Sequence, residues 1–273
     1  MHHVTMPDKT TLYLKDWGAG EPVILLSGWP FSADSWDDQA MVIAGSGYRV
    51  IAYDRRGFGR SSQPWGGYDY DTLADDLATV IQQTGAQNAT LVGFSMGGGE
   101  VARYMSRHGA RSVIKTVLVS SVVPCMLKSP DNPEGTDQTV FYDMATRLRD
   151  DRAQFFGQFF KDFFGVGMLS HPVSNELIEW ARSQAMQASL HATMECVKSF
   201  GSTDFRGDLS AFVVPTLIIH GTADKIVPNA AAGRAAHAGI ARSTLLEYES
   251  APHGLFATHK HRLSADLLSF IRG

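Results

Sequence analysis

Six short runs of apolar, mostly β-branched residues recur along the chain: PVILLSG (22–28), YRVIAYD (48–54), ATLVGF (89–94), KTVLVSSV (115–122), PTLIIHG (215–221) and STLLEY (243–248). Their apolar positions are continuous rather than alternating. Strands buried on both faces of a parallel sheet have that pattern. A seventh run, TLYLKDW (11–17), alternates more and predicts an edge strand. Between the runs the period lengthens to that of a helix. DTLADDLATVIQQTG puts Leu73, Leu77, Val80 and Ile81 on one face and stops at Gly85. HKHRLSADLLSFI does the same with Leu263, Leu267, Leu268 and Ile271. Strands that alternate with helices predict βαβ units, hence an α/β fold with a mostly parallel central sheet and helices on both faces.

The alternation stops between Val123 and Val214. That stretch reads as helical, with a loop around KSPDNPEG (128–135), and predicts a helical cap inserted over the sheet. With no internal repeat and no low-complexity linker, residues 1–273 read as one domain with a cap insertion at about 123–214.

Composition narrows the partners. The 273 residues are 44% hydrophobic and 19% charged, ordinary for a globular protein, and the net charge is −4. That balance gives no reason to expect nucleic acid or an anionic membrane as partner. The longest apolar runs reach about seven residues, against the roughly 20 that cross a bilayer. Cys125 and Cys196 fit no metal spacing and read as two reduced thiols of a cytoplasmic protein. The start MHHVTMPDKT has no apolar leader region, and Met1-His2-His3 is assigned no function. A homo-oligomer is compatible with all of this.

The chemistry begins where an apolar run is interrupted. In ATLVGFSMGGGE a strand leads into one hydroxyl, Ser95, surrounded by glycines, and a helix follows. Gly93-Phe94-Ser95-Met96-Gly97 is G-x-S-x-G. A sharp strand-to-helix turn holds its serine in a strained conformation, and glycines two residues either side let the chain pass close to itself. The oxygen then stands at the carboxyl end of the sheet, before a helix N-terminus that favours negative charge. A hydroxyl is a poor nucleophile without a base, and the base needs an orienting acid.

Both partners are expected later in the chain. Asp224 sits in the turn after PTLIIHG, and His253 in the loop after STLLEY, flanked by Pro252 and Gly254. The order Ser95, Asp224, His253 is the one this turn requires. Other histidines suit other tasks: His108 a helix end, His259 and His261 a solvated helix start, His220 a structural hydrogen bond. Asp54 follows a strand but precedes the serine, and DRRGFGRSS (54–62) reads as a structural turn with arginines solvated or tied to carbonyls. Developing negative charge on a substrate oxygen needs two backbone N–H groups. Met96 supplies one, and Trp29, in the loop after VILLSG, is expected to supply the other. Pro30 biases Trp29 toward extended backbone.

These stretches together resemble the α/β-hydrolase superfamily, and more narrowly its bacterial arylesterases and cofactor-free haloperoxidases (perhydrolases). The likeness rests on KDWG (15–18), GWP (28–30), DRRGFGRSSQPW (54–65), YDTLADDLA (70–78), LVGFSMGGGEVARY (91–104), TLIIHGTADKIVP (216–228) and APHG (251–254). The resemblance implies the α/β-hydrolase fold, Ser95, Asp224 and His253 as a triad, Trp29 and Met96 as oxyanion donors, and no metal, haem or other cofactor. It also implies perhydrolysis, in which hydrogen peroxide rather than water attacks the acyl-enzyme and the peracid oxidises halide. One position departs: Ser27 stands where the family usually has histidine, so side-chain support of the oxyanion loop is expected to differ.

The expected activity is hydrolysis of small aryl or short-chain carboxylic esters. FFGQFFKDFFG puts phenylalanines four apart on one helical face, and about half of them are expected to be core packing alone. Phe159 and Phe163, with Trp29 and Ile226, are the expected apolar pocket. Perhydrolysis or lactam and amide hydrolysis as the main activity is the alternative. A ligand-binding protein on the same fold is disfavoured by the intact Ser, Asp and His.

Overall fold

The computed structural model describes residues 3–273, so Met1 and His2 of the N-terminal stretch lie outside the described residues. Eight strands form one sheet: β1 (His3–Thr5), β2 (Thr11–Gly18), β3 (Pro22–Leu26), β4 (Arg49–Tyr53), β5 (Ala89–Phe94), β6 (Val113–Val119), β7 (Thr216–Gly221) and β8 (Ser243–Tyr248). Their order across the sheet is β1-β2-β4-β3-β5-β6-β7-β8. β1, β2 and β4 pair antiparallel, and every pair from β4 to β8 is parallel. Every residue of β3, β5 and β7 is buried, which is why these runs carry no polar alternation.

Helices α1 (Asp37–Gly45), α2 (Tyr70–Thr84) and α3 (Met96–His108) join the first half of the sheet. α4 (Gln138–Phe164), α5 (Asn175–Gln187) and α6 (Leu190–Ser202) fill the stretch between β6 and β7. α7 (Gly233–Gly239), α8 (Leu255–Thr258) and α9 (Lys260–Arg272) complete the chain. The local reasons are legible. Asp69 caps α2 by accepting from the Thr72 N–H at 2.9 Å, and Gly85 ends it at φ 66°. Leu73, Leu77, Val80 and Ile81 are all buried, as the periodicity predicts, and so are Leu263, Leu267, Leu268 and Ile271 of α9. α4 is broken at Asp151 (φ −156°, ψ 87°), whose carboxylate accepts from the Gln154 N–H at 2.9 Å and starts the second half afresh.

Three expectations change. The sheet's edges are β1 and β8: TLYLKDW, expected at an edge, is β2 and is paired on both sides, and STLLEY, expected to be buried on both faces, is the half-exposed edge β8. The three residues of β1 are too short a run for periodicity to announce. KTVLVSSV also overshoots: β6 ends at Val119, and Ser120 turns away at φ 42°.

The chain order of β3, β4 and β5 positions the site. β4 pairs on one side of β3 and β5 on the other, so the loops leaving β3 and β5 part from each other at the carboxyl edge of the sheet. A crevice at such a switch point is where α/β sheets bind ligands. The segment between β6 and β7 closes over it: Phe160 and Phe163 pack on Phe31, and Phe155, Phe159 and Phe200 pack on Trp29.

Cys125 and Cys196 are free and buried, and burial pushes the Cys196 thiol up to about 12. Only a thiolate reacts fast with an aromatic disulfide reagent. At pH 8 the folded protein is therefore expected to release no rapid burst of chromophore, and two equivalents appear once it is unfolded in denaturant. Fast reaction of Cys196 in the folded state would contradict its burial.

Candidate active site

Ser95 stands between β5 and α3 at φ 53°, ψ −117°, a left-handed conformation that a non-glycine residue adopts only when its surroundings hold it there. The hold is steric. A Cβ on Gly93 would lie 2.5 Å from the Gly97 carbonyl oxygen, and one on Gly97 would lie 2.5 Å from the Leu26 carbonyl oxygen. Real Cβ atoms do not approach backbone so closely. Both positions are therefore glycine because the first turn of α3 passes directly over the ends of β5 and β3.

Ser95, Asp224 and His253 arrive on one rim from the ends of β5, β7 and β8 and are all buried. Ser95 Oγ lies 3.0 Å from His253 Nε2, and His253 Nδ1 lies 2.6 Å from Asp224 Oδ2. The other oxygen, Asp224 Oδ1, accepts from the Ile226 and Val227 N–H groups, both at 2.9 Å. Burial alone would raise the Asp224 carboxyl. The charge of His253 and hydrogen bonds from His220 and His253 outweigh it and hold Asp224 well below the usual carboxylate range. The Phe163 ring packs edge-on against the His253 imidazole at 4.8 Å, and Phe94 lies 5.1 Å from it, so the ring has little room to turn.

His220 does make the structural bond the sequence suggests, from Nε2 to the Val227 carbonyl at 3.0 Å. The same nitrogen lies 3.3 Å from Asp224 Oδ2. Both neighbours only accept, so Nε2 carries the proton. The sequence reading missed this second contact, although His220 and Asp224 are only four residues apart around one tight turn.

Met96 follows Ser95 in the chain, and Trp29 shares a cavity with it. Met96 opens α3, and its N–H has no intrahelical partner. Neither it nor the Trp29 N–H meets an acceptor among the described residues. The loop bearing Trp29 is tied at several points. Ser27 Oγ donates to the Ser32 carbonyl at 2.9 Å, and Ser35 Oγ donates to Ser27 Oγ at 3.3 Å. A small hydroxyl network thus supports the loop where a histidine was expected. The Trp29 indole N–H donates to the Thr193 carbonyl of α6 at 3.1 Å.

A further tie bears out one half of the sequence reading, an arginine bonded to a carbonyl, and overturns the other half, solvation. Arg55 and Arg56 are not solvated; both are buried. Arg56 pairs with Asp76 through its Nε at 2.6 Å. Arg55 Nη2 donates to the Ser27 carbonyl at 2.6 Å, and Arg55 Nε to Glu100 Oε1 at 2.6 Å. Glu100 also accepts from the Tyr53 hydroxyl at 3.0 Å. Glu100 lies on the first turns of α3, behind Met96. Arg55 therefore braces the loop of one backbone donor against the helix of the other. An Arg-Glu partnership across 45 residues leaves no local pattern in a sequence.

A cavity opens over Ser95 and His253. Trp29, Phe159 and Ile226 line it, together with Met126, Met144 and Phe200. Phe163 does not; it lies buried behind the cavity on His253. The remaining phenylalanines of the stripe are core as well. Among the described residues no group of three or more His, Cys, Asp or Glu side chains is arranged to hold a metal ion.

A serine on a strand-to-helix turn of a doubly wound sheet, with its partners on the same rim, defines an α/β hydrolase. Residues 21–260 match the family described as the alpha/beta hydrolase fold. The chain is 47% identical over 262 residues to a putative non-heme chloroperoxidase of Synechocystis sp., covering 96% of this chain and 95% of that one. It is 40% identical over 276 residues to a bifunctional esterase/perhydrolase of Acinetobacter calcoaceticus, covering 100% of both. The crystal structure of a bromoperoxidase from Bacillus anthracis superposes with a TM-score of 0.96 at 42% identity over 99% of each chain. This protein belongs to the haloperoxidase branch of the α/β-hydrolase family.

The brace carries a test. Arg55→Met leaves the Glu100 carboxylate buried without its partner, which typically costs about 3–5 kcal/mol. Urea unfolding is expected to register a loss of that order, and the double variant Arg55→Met, Glu100→Gln is expected to recover part of it. An unchanged midpoint for Arg55→Met would mean the pair contributes nothing to holding the loop.

Proposed function

We propose that this protein is a serine hydrolase of small carboxylic esters that works through an acyl-enzyme. The observation that carries the reading is the unbroken file of short contacts from Asp224 through His253 to Ser95, beneath two unpartnered backbone N–H groups. In this reading His253 Nε2 takes the Ser95 proton as Oγ attacks the ester carbonyl. The Met96 and Trp29 N–H groups receive the negative charge on the carbonyl oxygen. Asp224 keeps the His253 ring oriented and balances its charge without itself becoming protonated. His253 then passes the proton to the leaving alcohol, and afterwards activates water to release the acid. The apolar cavity wall suits aryl and short aliphatic esters. Residues 1–273 act as one domain, with the helical stretch 123–214 as cap. The two unpaired thiols support the cytoplasm as its location.

A second activity follows if hydrogen peroxide replaces water at the last step. Peroxide is small enough for the same site, and its attack gives a peroxycarboxylic acid. The relatives named above, a chloroperoxidase and an esterase/perhydrolase, support this reading.

Ser95→Ala is expected to lower the hydrolysis of a nitrophenyl acetate by on the order of 10⁴-fold or more. An undiminished rate would overturn the assignment. The acid limb of the pH profile carries a further test. Protonating His253 removes the base, so the rate falls with pH. Asp224, held well below the usual range, stays ionised throughout that fall. The logarithm of the rate is therefore expected to drop by about one unit per pH unit. A slope of two would mean that a second group, Asp224 included, titrates with it.

A further inference from the structure

Two thioethers stand in the wall of the cavity above Ser95. Met126 comes from the loop after β6 and Met144 from the first half of α4, and both line it beside Trp29, Ser95 and His253. Ester hydrolysis has no use for them. A thioether is neither a base nor a donor, and an aliphatic side chain of similar volume would fill the same space. What distinguishes sulfur there is that it is easily oxidised.

We propose that Met126 and Met144 are turnover-dependent oxidation sites, converted to sulfoxides by the peroxycarboxylic acid that the neighbouring serine generates. The inference rests on the perhydrolysis reading above. The steps balance. Hydrogen peroxide attacks the acyl group on Ser95, its proton passes through His253 to Ser95 Oγ, and the serine ester bond breaks to leave the peracid in the cavity. A sulfur lone pair then attacks the terminal peroxidic oxygen. The S–O bond forms as the O–O bond breaks, and the hydroxyl proton moves to the departing carboxylate. Sulfur loses two electrons and the peracid becomes the carboxylic acid. No other oxidant is required.

The placement makes the outcome specific. Met126 is 4% exposed and Met144 is partly buried, whereas Met168 is 96% and Met41 69% exposed. An oxidant arriving from solution meets Met168 and Met41 first. An oxidant made at Ser95 meets Met126 and Met144 first. The order of oxidation therefore reports where the oxidant was made. A sulfoxide is polar and sits where the wall was apolar, so each oxidation weakens the seat of the acyl chain. Prolonged perhydrolysis thereby switches itself down, and a methionine sulfoxide reductase reverses the change once the protein opens enough to admit it.

The test uses the full-length protein. Wild type and Ser95→Ala are incubated with hydrogen peroxide alone or with peroxide plus acetate, and each methionine peptide is weighed for added oxygen. Peracid is followed in parallel tubes, with bromide added, by bromination of a dye. In wild type with acetate, Met126 and Met144 are expected to gain oxygen about tenfold faster than Met168. With peroxide alone, or in Ser95→Ala, Met168 and Met41 are expected to lead. Peracid without preferential oxidation of Met126 and Met144 would overturn this inference and leave perhydrolysis standing. Absence of peracid would overturn both. A double variant, Met126→Leu and Met144→Leu, measured against its own starting rate, is expected to keep its esterase activity several-fold longer during perhydrolysis. Equal decay of the variant and wild type would equally sink the proposal.

Discussion

The site depends on one close pass of backbone over backbone. The first turn of α3 crosses the end of β3 so near that Gly97 has no room for a side chain against the Leu26 carbonyl. That contact sets the distance between the start of the helix and the loop that follows β3. Met96 belongs to the first and Trp29 to the second, so the same constraint sets how these two residues are spaced. Beside that contact Ser95 holds its left-handed conformation at the junction of β5 and α3. Arg55 locks the arrangement from beneath by gripping Glu100 of the helix and the Ser27 carbonyl of the loop. Strain at the serine is held by packing on one side and by a buried ion pair on the other.

How much of this the sequence discloses follows from how local each cause is. The central strands read clearly because burial on both faces leaves continuous apolar runs. The α2 and α9 stripes read clearly because one face of each is core. Ser95, Asp224 and His253 are legible because each follows a strand in an order that the turn at Ser95 demands, and the structure brings the three within hydrogen-bonding reach. The errors have the opposite character. β1 is three residues long and owes its existence to pairing with β2. The burial of Arg55 is decided by Glu100, the second contact of His220 by a turn closing on itself, and the exclusion of Phe163 from the cavity by the depth at which α4 settles. None of these leaves a period or a motif. The substitution of serine for histidine at position 27 is an intermediate case. Its existence is visible, but the Ser27, Ser32 and Ser35 network that supports the loop appears only when the chain is folded.

Electrostatics and packing divide the work at the rim. Asp224 is buried yet ionised because four donors converge on it: two backbone N–H groups and two imidazoles. The aromatic rings around His253 contribute no charge. They exclude water and restrict the ring, so the histidine faces one acid and one hydroxyl and little else.

The indole of Trp29 has a further implication for how such chains diversify. Its ring is wedged among Phe155, Phe159 and Phe200, and its N–H is bonded to the backbone of α6, while its own backbone belongs to the loop after β3. The helical segment over the sheet is therefore not an exchangeable module. A graft from a relative that altered the seat of this one side chain would disturb the peptide plane beside the serine, even with every residue of the sheet retained. A substitution on the outer surface of that segment leaves the tryptophan's seat intact, whereas one on the face that touches the tryptophan changes it.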